Sequence, residues 1–262
     1  METAFLVVVS ALFGLVAGSF MTVVIERVPA DQSIVRPRST CPKCHTEIRN
    51  RDNIPVLGWV LLGGKCRECG ERISFVYPLT EILTAALVVA TALVWRGQIW
   101  PMAMLGALVA LMPAISIIDI RFKKIPNRIT YPAFVVFAVL VVLAWLFDGG
   151  PELVPALLGM LLYGGGLFLL AILSRGMGMG DAKLGFVIGL VLGSLGLRFV
   201  GVAAGAAIVF GGLGGLVALA IGRSRKSTIP FGPYMAAGTV VAVLWGQQIA
   251  DWYLRTFNAA GS

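Results

Sequence analysis

Residues 4–25 read AFLVVVSALFGLVAGSFMTVVI, a stretch with no charged side chain. About 20 such residues wound as a helix cross the ~30 Å hydrocarbon core of a bilayer. No basic n-region precedes the stretch and no A-x-A cleavage pattern follows it, so it is expected to stay as a span rather than be removed as a signal peptide. Runs of similar character continue along the chain, and further spans are expected near residues 77–95, 100–118, 129–147, 153–173, 182–197, 199–221 and 230–250. The boundary between the sixth and seventh rests mainly on Arg198. Composition agrees: 58% of the 262 residues are hydrophobic and 13% charged, where a soluble domain carries about 25% charged residues. The expected fold class is an all-α polytopic membrane protein with about eight transmembrane helices.

A net charge of +8 would suit nucleic acid, but the basic residues are spread over four connections and lack interleaved aromatics. No nucleic-acid partner is expected; lipid is. Of the 21 lysines and arginines, Arg96, Arg198 and Arg255 fall in one set of alternate connections. The others fall in the second set. They run from Arg27 to Arg72 in the first connection, followed by Arg121, Lys123, Lys124, Arg128, Arg175, Lys183, Arg223, Arg225 and Lys226. The positive-inside rule places that crowded set in the cytoplasm and both termini outside.

The chain then divides into a first helix (1–25), one sizeable polar segment between the first and second spans (26–76), a seven-helix membrane core (77–251) and a short outer tail (252–262). Gly185, Gly189 and Gly193 recur every fourth residue, as do Gly201 and Gly205. Small-x-x-x-small spacing lets helix backbones approach closely in lipid. Close packing within the chain is the expected use, and homodimer formation is the alternative.

The polar segment holds all four cysteines and the only histidine. Cys41-Pro-Lys-Cys44 and Cys66-Arg-Glu-Cys69 are two C-x2-C pairs, the arrangement of a tetrahedral four-thiolate zinc site. Gly64 and Gly70 flank the second pair and suit a tight knuckle turn. Four thiolates leave no open coordination position, so the metal would be structural. Disulfides, rare in the cytosol, and unrelated free thiols are the alternatives. His45 is either a solvated loop residue or an awkwardly placed fourth ligand.

Two carboxylates stand out. Asp119 closes the third span in Ala114-Ile-Ser-Ile-Ile-Asp119-Ile-Arg-Phe-Lys-Lys-Ile-Pro126-Asn127, and Asp181 opens the sixth in Gly178-Met-Gly180-Asp181. A charge at membrane depth costs at least ~2.5–3.5 kcal/mol, which points to a working site. Counting spans puts both on the cytoplasmic face at similar depth. Two facing carboxylates share a proton, one acting as general base and one as general acid on a water molecule. Gly178 and Gly180 would allow positive φ and close approach of a substrate backbone beside Asp181. Spacing alone does not bring the two together. Asp119 could instead pair with Arg121 or Lys123, and Asp181 could be an N-cap. Met177 and Met179 would line the local surface.

The chain resembles the type IV prepilin peptidases, GxGD-type aspartic proteases of the bacterial inner membrane, over nearly its whole length. Gly18-Ser19-Phe20 with Arg27-Val28-Pro29 resembles the N-terminal signature. Asn53-Ile54-Pro55, Gly64-Lys65-Cys66-Arg67, Ile73-Ser74 and Tyr77-Pro78-Leu79-Thr80-Glu81 resemble the segment around the second cysteine pair. Asp119 with Ile125-Pro126-Asn127 resembles the first catalytic motif, Gly178-Met-Gly180-Asp181-Ala-Lys183-Leu184 the second, and Pro230-Phe231-Gly232-Pro233-Tyr234 a late motif. Thr22 stands where the family often has Asn, and Glu26 occupies a variable position. The resemblance implies cleavage of the basic leader of prepilins and pseudopilins on the cytoplasmic side, then methylation of the new N-terminal amine with S-adenosylmethionine. It ties the cysteine-bearing loop to methylation and implies that Gly64 and Lys65 affect methyl transfer. Glu81 would bind the substrate amine or leader, or be an ordinary interfacial carboxylate. Pro230 and Pro233 would free backbone groups to grip an extended peptide, or simply start a helix. Two rival readings are a leader peptidase that does not methylate and a non-enzymatic zinc-knuckle scaffold.

Overall fold

A computed structural model of the protein describes residues 2–148, 150–173, 178–222 and 229–258. Arg175, Met177, Arg223, Arg225, Lys226 and the end of the expected tail lie outside the described residues. The chain winds into α1 (Glu2–Arg27), α2 (Leu57–Leu61), α3 (Val76–Val94), α4 (Ile99–Phe122), α5 (Asn127–Asp148), α6 (Leu153–Met160), a π-helical turn (Leu161–Gly165), α7 (Gly166–Leu173), α8 (Met179–Ser194), α9 (Leu197–Ala220) and α10 (Gly232–Asn258). Among the described residues there is no sheet; the two β-bridges, Thr40 with Glu47 and Lys65 with Arg72, are isolated.

Six helices among the described residues are long and apolar enough to cross a membrane: α1, α3, α4, α5, the continuous rod α6–α7, and α9. Eight were expected, and α8 and α10 are the two that fall short. The first has only 16 residues, less than the ~20 a span needs. The second has 27 residues, but Gln247, Gln248 and Asp251 interrupt its apolar run. Both still pack within the bundle, α8 against α5, α6 and the π turn, and α10 against α9 and α4. Most of α8 is buried, so protein rather than lipid surrounds it.

The core sits where α4, α8 and α10 meet: Met104, Leu105, Leu108, Ile115, Ile118, Leu184, Ile188, Leu192 and Met235 are fully buried. The outside is also apolar, with Phe5, Leu12, Phe13, Val135, Leu169, Ile208 and Leu216 exposed. In lipid such a surface is no liability, and helices associate by close packing rather than by exclusion from water. Glycines therefore set the contacts. A Cβ at Gly18 on α1 would lie 2.7 Å from the Glu81 Cα on α3, and one at Gly193 on α8 would lie 3.0 Å from the Gly159 Cα on α6. Gly185 and Gly189 are equally tight against α6 and the π turn. The expectation fails for Gly201 and Gly205: nothing lies within 4 Å of a Cβ at either, so that pair faces outward.

Candidate active site

Asp119 sits one turn before the end of α4 rather than at its last residue. Lys123 closes the helix in the left-handed region, φ 51, and donates its N–H to the Asp119 carbonyl at 2.8 Å. The chain then folds back through Ile125 and lies on the start of α8. Gly180 makes that possible, since a Cβ there would stand 3.0 Å from the Ile125 Cβ and 3.2 Å from its backbone N and O. One turn further, Lys183 donates to Asn127 Oδ1 at 2.7 Å, with its ammonium 5.0 Å from the Tyr131 ring centre. These ties carry Asp181 to Asp119, 62 positions away in the chain, close enough for the charge of one to act on the other. Both are nearly removed from solvent, at 4% and 8% exposure.

Several alternatives left open by the sequence are closed. Asp181 is not an N-cap; Gly178 holds that position and Asp181 lies within the first turn. Asp119 does not pair with Arg121, which bonds Glu26 at 2.9 Å. The expected positive φ at Gly178 and Gly180 is absent: Gly178 is extended at φ −73, and Gly180 is helical. Their use is space. A Cβ on Gly178 would stand 3.3 Å from Asp181 Oδ2, so glycine there lets the backbone lie close against that carboxylate. Met179 is 43% exposed and touches no group that assigns it a task.

Sequence reasoning missed Gly232. Its N–H, one of the free donors at the start of α10, donates to Asp119 Oδ2 at 2.8 Å. A Cβ there would lie 2.7 Å from the same oxygen. The late motif drew notice for Pro230 and Pro233, but the glycine between them is what reaches the carboxylate. Tyr163 was missed as well. It lies in the π turn, its hydroxyl is buried without a hydrogen-bond partner among the described residues, and Asp181 lies within its electrostatic reach.

The four cysteines converge as their spacing implied. Their sulfurs all lie within 4.8 Å of one another, with Cys41 Sγ to Cys69 Sγ at 3.8 Å and Cys44 Sγ to Cys66 Sγ at 4.0 Å. Sulfurs bound tetrahedrally at ~2.3 Å from an ion stand about 3.8 Å apart, so the set fits a metal; a disulfide needs ~2.04 Å, and all four thiols are free. The two knuckles are built alike. His45 N–H donates to Cys41 O at 2.9 Å with φ 57, and Gly70 N–H donates to Cys66 O at 3.0 Å with φ 71. His45 thus makes the turn of its knuckle and is not a member of the sulfur cluster. Hydrogen bonds from Thr46 lower the Cys44 thiol to about 6. Backbone amides of Cys69 and Glu68 lower Cys66. The Glu71 amide pulls Cys69 down, but burial and the three neighbouring sulfurs outweigh it and push that thiol up to about 12. One cluster therefore holds both easily and reluctantly ionised thiols. Lys43 pairs with Glu71 and Arg49 with Glu68 at 2.7 Å, clamping the knuckles together.

A cavity of about 990 Å3 opens between these knuckles and the adjoining ends of α1 and α3; Trp59, Tyr77, Glu26 and Glu81 are among its walls. Gly64 sits behind one wall, at φ 68, where a Cβ would lie 2.9 Å from Trp59 Cζ2. Lys65 is exposed and outside the cavity lining.

A polytopic helical bundle with two buried aspartates on facing helices is the arrangement of a membrane aspartyl peptidase. Two family patterns cover the chain: one described as bacterial peptidase A24 N-terminal domain at residues 12–95, and one described as type IV leader peptidase family at residues 106–221. The chain is 35% identical to a protein of Bacillus subtilis (strain 168) named prepilin leader peptidase/N-methyltransferase, over 93% of this chain and 96% of that one. Proteins of the same name from Aeromonas hydrophila and Pseudomonas aeruginosa are 33% and 30% identical, covering 94% and 95% of this chain and 93% of each relative. No solved structure matches. The chain belongs to the type IV leader peptidase family.

Proposed function

We propose that the protein removes the basic leader of type IV prepilins or pseudopilins and then methylates the exposed N-terminal amine. The observation carrying the first half is the convergence of Asp119 and Asp181, both buried, at one end of the bundle. We assign the base to Asp119, whose Oδ2 is held by the Gly232 N–H, and the acid to Asp181. Asp119 takes a proton from water, and the hydroxyl oxygen bonds to the scissile carbonyl carbon. The tetrahedral intermediate collapses with cleavage of the C–N bond, and the proton of Asp181 passes to the departing nitrogen. No covalent enzyme intermediate is needed.

Zinc is the metal proposed for Cys41, Cys44, Cys66 and Cys69. It would hold residues 26–76 as a folded insert, in charge of methylation, while residues 77–251 carry cleavage. The lysine and arginine bias supports a bacterial inner-membrane protein with the insert and both aspartates on the cytoplasmic side and both termini periplasmic. Carboxylates at that face attract a basic leader. Methyl transfer draws on S-adenosylmethionine, which supplies an electrophilic methyl group. Incubating the purified protein with a prepilin and this donor, followed by mass spectrometry of the product, tests the reading. A shortened product carrying one added methyl at its N-terminus is expected; a prepilin that stays full length contradicts it, and a shortened, unmethylated product restricts it to cleavage.

A further inference from the structure

We propose that the cavity between the insert and the ends of α1 and α3 is the S-adenosylmethionine site, with Glu81, Trp59 and Tyr77 as its recognition groups. This deepens the methyl-transfer reading and rests on it. The volume, about 990 Å3, reaches the upper end of the ~300–1,000 Å3 usual for cofactor pockets, which leaves space for the peptide amine beside the donor.

Arg27, Arg36, Arg49, Arg67 and Arg72 line the cavity beside six carboxylates, a mixed wall that suits a ligand carrying charges of both signs, as S-adenosylmethionine does with its carboxylate, ammonium and sulfonium. Asp52 is engaged by Arg67, Glu68 by Arg49, Glu71 by Lys43 and Glu26 by Arg121. Glu81 differs. It is 7% exposed, its Oε2 accepts only the Val56 N–H at 2.7 Å, and no cation pairs with it among the described residues. A buried carboxylate without a counter-charge is costly, and a ligand bringing positive charge offsets that cost. S-adenosylmethionine brings an ammonium and a sulfonium. Trp59 and Tyr77 also line the cavity, and aromatic side chains recognise onium ligands and stack on purines.

Backbone strain marks the same spot. Val56 holds φ 61 and ψ −50, a conformation rare for a β-branched residue and retained where surroundings over-determine it, as at ligand clamps. That strain aims its N–H at Glu81. Trp59 is likewise fixed: its Nε1 donates to Ile73 O at 3.1 Å. Gly64 leaves room for the indole, which makes Gly64 a positioning residue that acts through Trp59. The cavity also adjoins the cleavage site, because Glu26 on its wall bonds Arg121, two residues beyond Asp119. A new N-terminus therefore has a short path from one site to the other. There its nitrogen, having lost a proton to water, bonds the methyl carbon while the S–CH3 bond breaks with its pair going to sulfur.

The test is to irradiate the zinc-loaded, full-length protein in detergent with methyl-radiolabelled S-adenosylmethionine and map the label. Label on peptides containing Trp59 or Tyr77, competed by S-adenosylhomocysteine, is expected. Equilibrium dialysis should show at least tenfold weaker donor binding in Trp59→Ala and in Gly64→Ala at unchanged zinc content. Label confined to α8–α10, or unchanged binding in both variants and in Glu81→Gln, overturns the pocket and leaves methylation standing. A protein that cleaves prepilin yet binds no donor overturns the methylation reading, and the pocket with it.

Discussion

At the residue scale, the sharpest constraint is the contact between Gly232 and Asp119. An added methyl at Gly232 must move the carboxylate, since it would lie 2.7 Å from Oδ2 and 3.1 Å from the Asp119 Cβ. A misplacement near 1 Å can cost about 100-fold in rate. Gly232→Ala is therefore expected to lower the cleavage rate by about that factor while binding of prepilin changes little, as separate kcat and KM measurements would show. Gly180→Ala presses on the Ile125 backbone and should give a smaller loss of the same kind. Asp119 and Asp181 were legible in the sequence because a lone carboxylate stands out in an apolar run, and span counting gives its side. Gly232 was not, because its partner is 113 residues away and only the folded bundle joins them. His45 was legible only as a loop residue. Its φ of 57 repeats that of Gly70, so His45→Gly should preserve zinc binding and should not destabilise the insert, by thermal unfolding of the zinc-loaded protein.

At the scale of elements, the knuckles were the clearest reading, since two C-x2-C pairs specify their own geometry with little help from the rest of the chain. Their pH response separates metal from ion pairs. Zinc needs thiolates, so protons compete with it. With Cys44 at about 6 and Cys69 pushed to about 12 when metal-free, zinc binding must expel protons, and affinity should fall as pH is lowered from 8 towards 5. The pair of Arg67 and Asp52 behaves differently. Arg67 holds the Asp52 carboxyl below the usual carboxylate range. Its stabilisation is thus present above the unfolded value of ~3.9 and is lost only as pH falls through the lower folded value. Loss of insert structure between pH 7 and 5, followed together with zinc release, would therefore come from the metal. Structure that persists unchanged after zinc has left would contradict a structural role for it. The helices α8 and α10 were harder to read. A helix enclosed by other helices, as most of α8 is, is under no pressure to be as long or as uniformly apolar as one facing lipid, so hydropathy placed both helices, but by length and composition neither counts among the six spans.

At the scale of the whole molecule, the proposed cleavage site and the polar segment 26–76 meet along the end of α1. The Arg121–Glu26 pair and the Val56–Glu81 bond stitch α4, α1, the insert and α3 into one surface. Neither the cavity nor the absence of a counter-charge to Glu81 among the described residues is visible in the sequence, because both depend on how the insert settles on α1 and α3 and on which carboxylates then find basic partners. The Cys41→Ser variant tests the division of labour. It should lose zinc and lower the methylated fraction of product by about tenfold or more, with cleavage much less affected. Equal loss of both would mean that the insert supports the bundle as a whole.

The most direct measurement is the cleavage rate of a prepilin by Asp119→Asn and by Asp181→Asn, each purified in detergent and shown to keep its zinc and helical content. Each change removes one member of the acid–base pair and should lower the rate by about 100- to 10,000-fold. Processing at the unaltered rate by either variant would contradict the pairing of the two aspartates on which the cleavage mechanism stands.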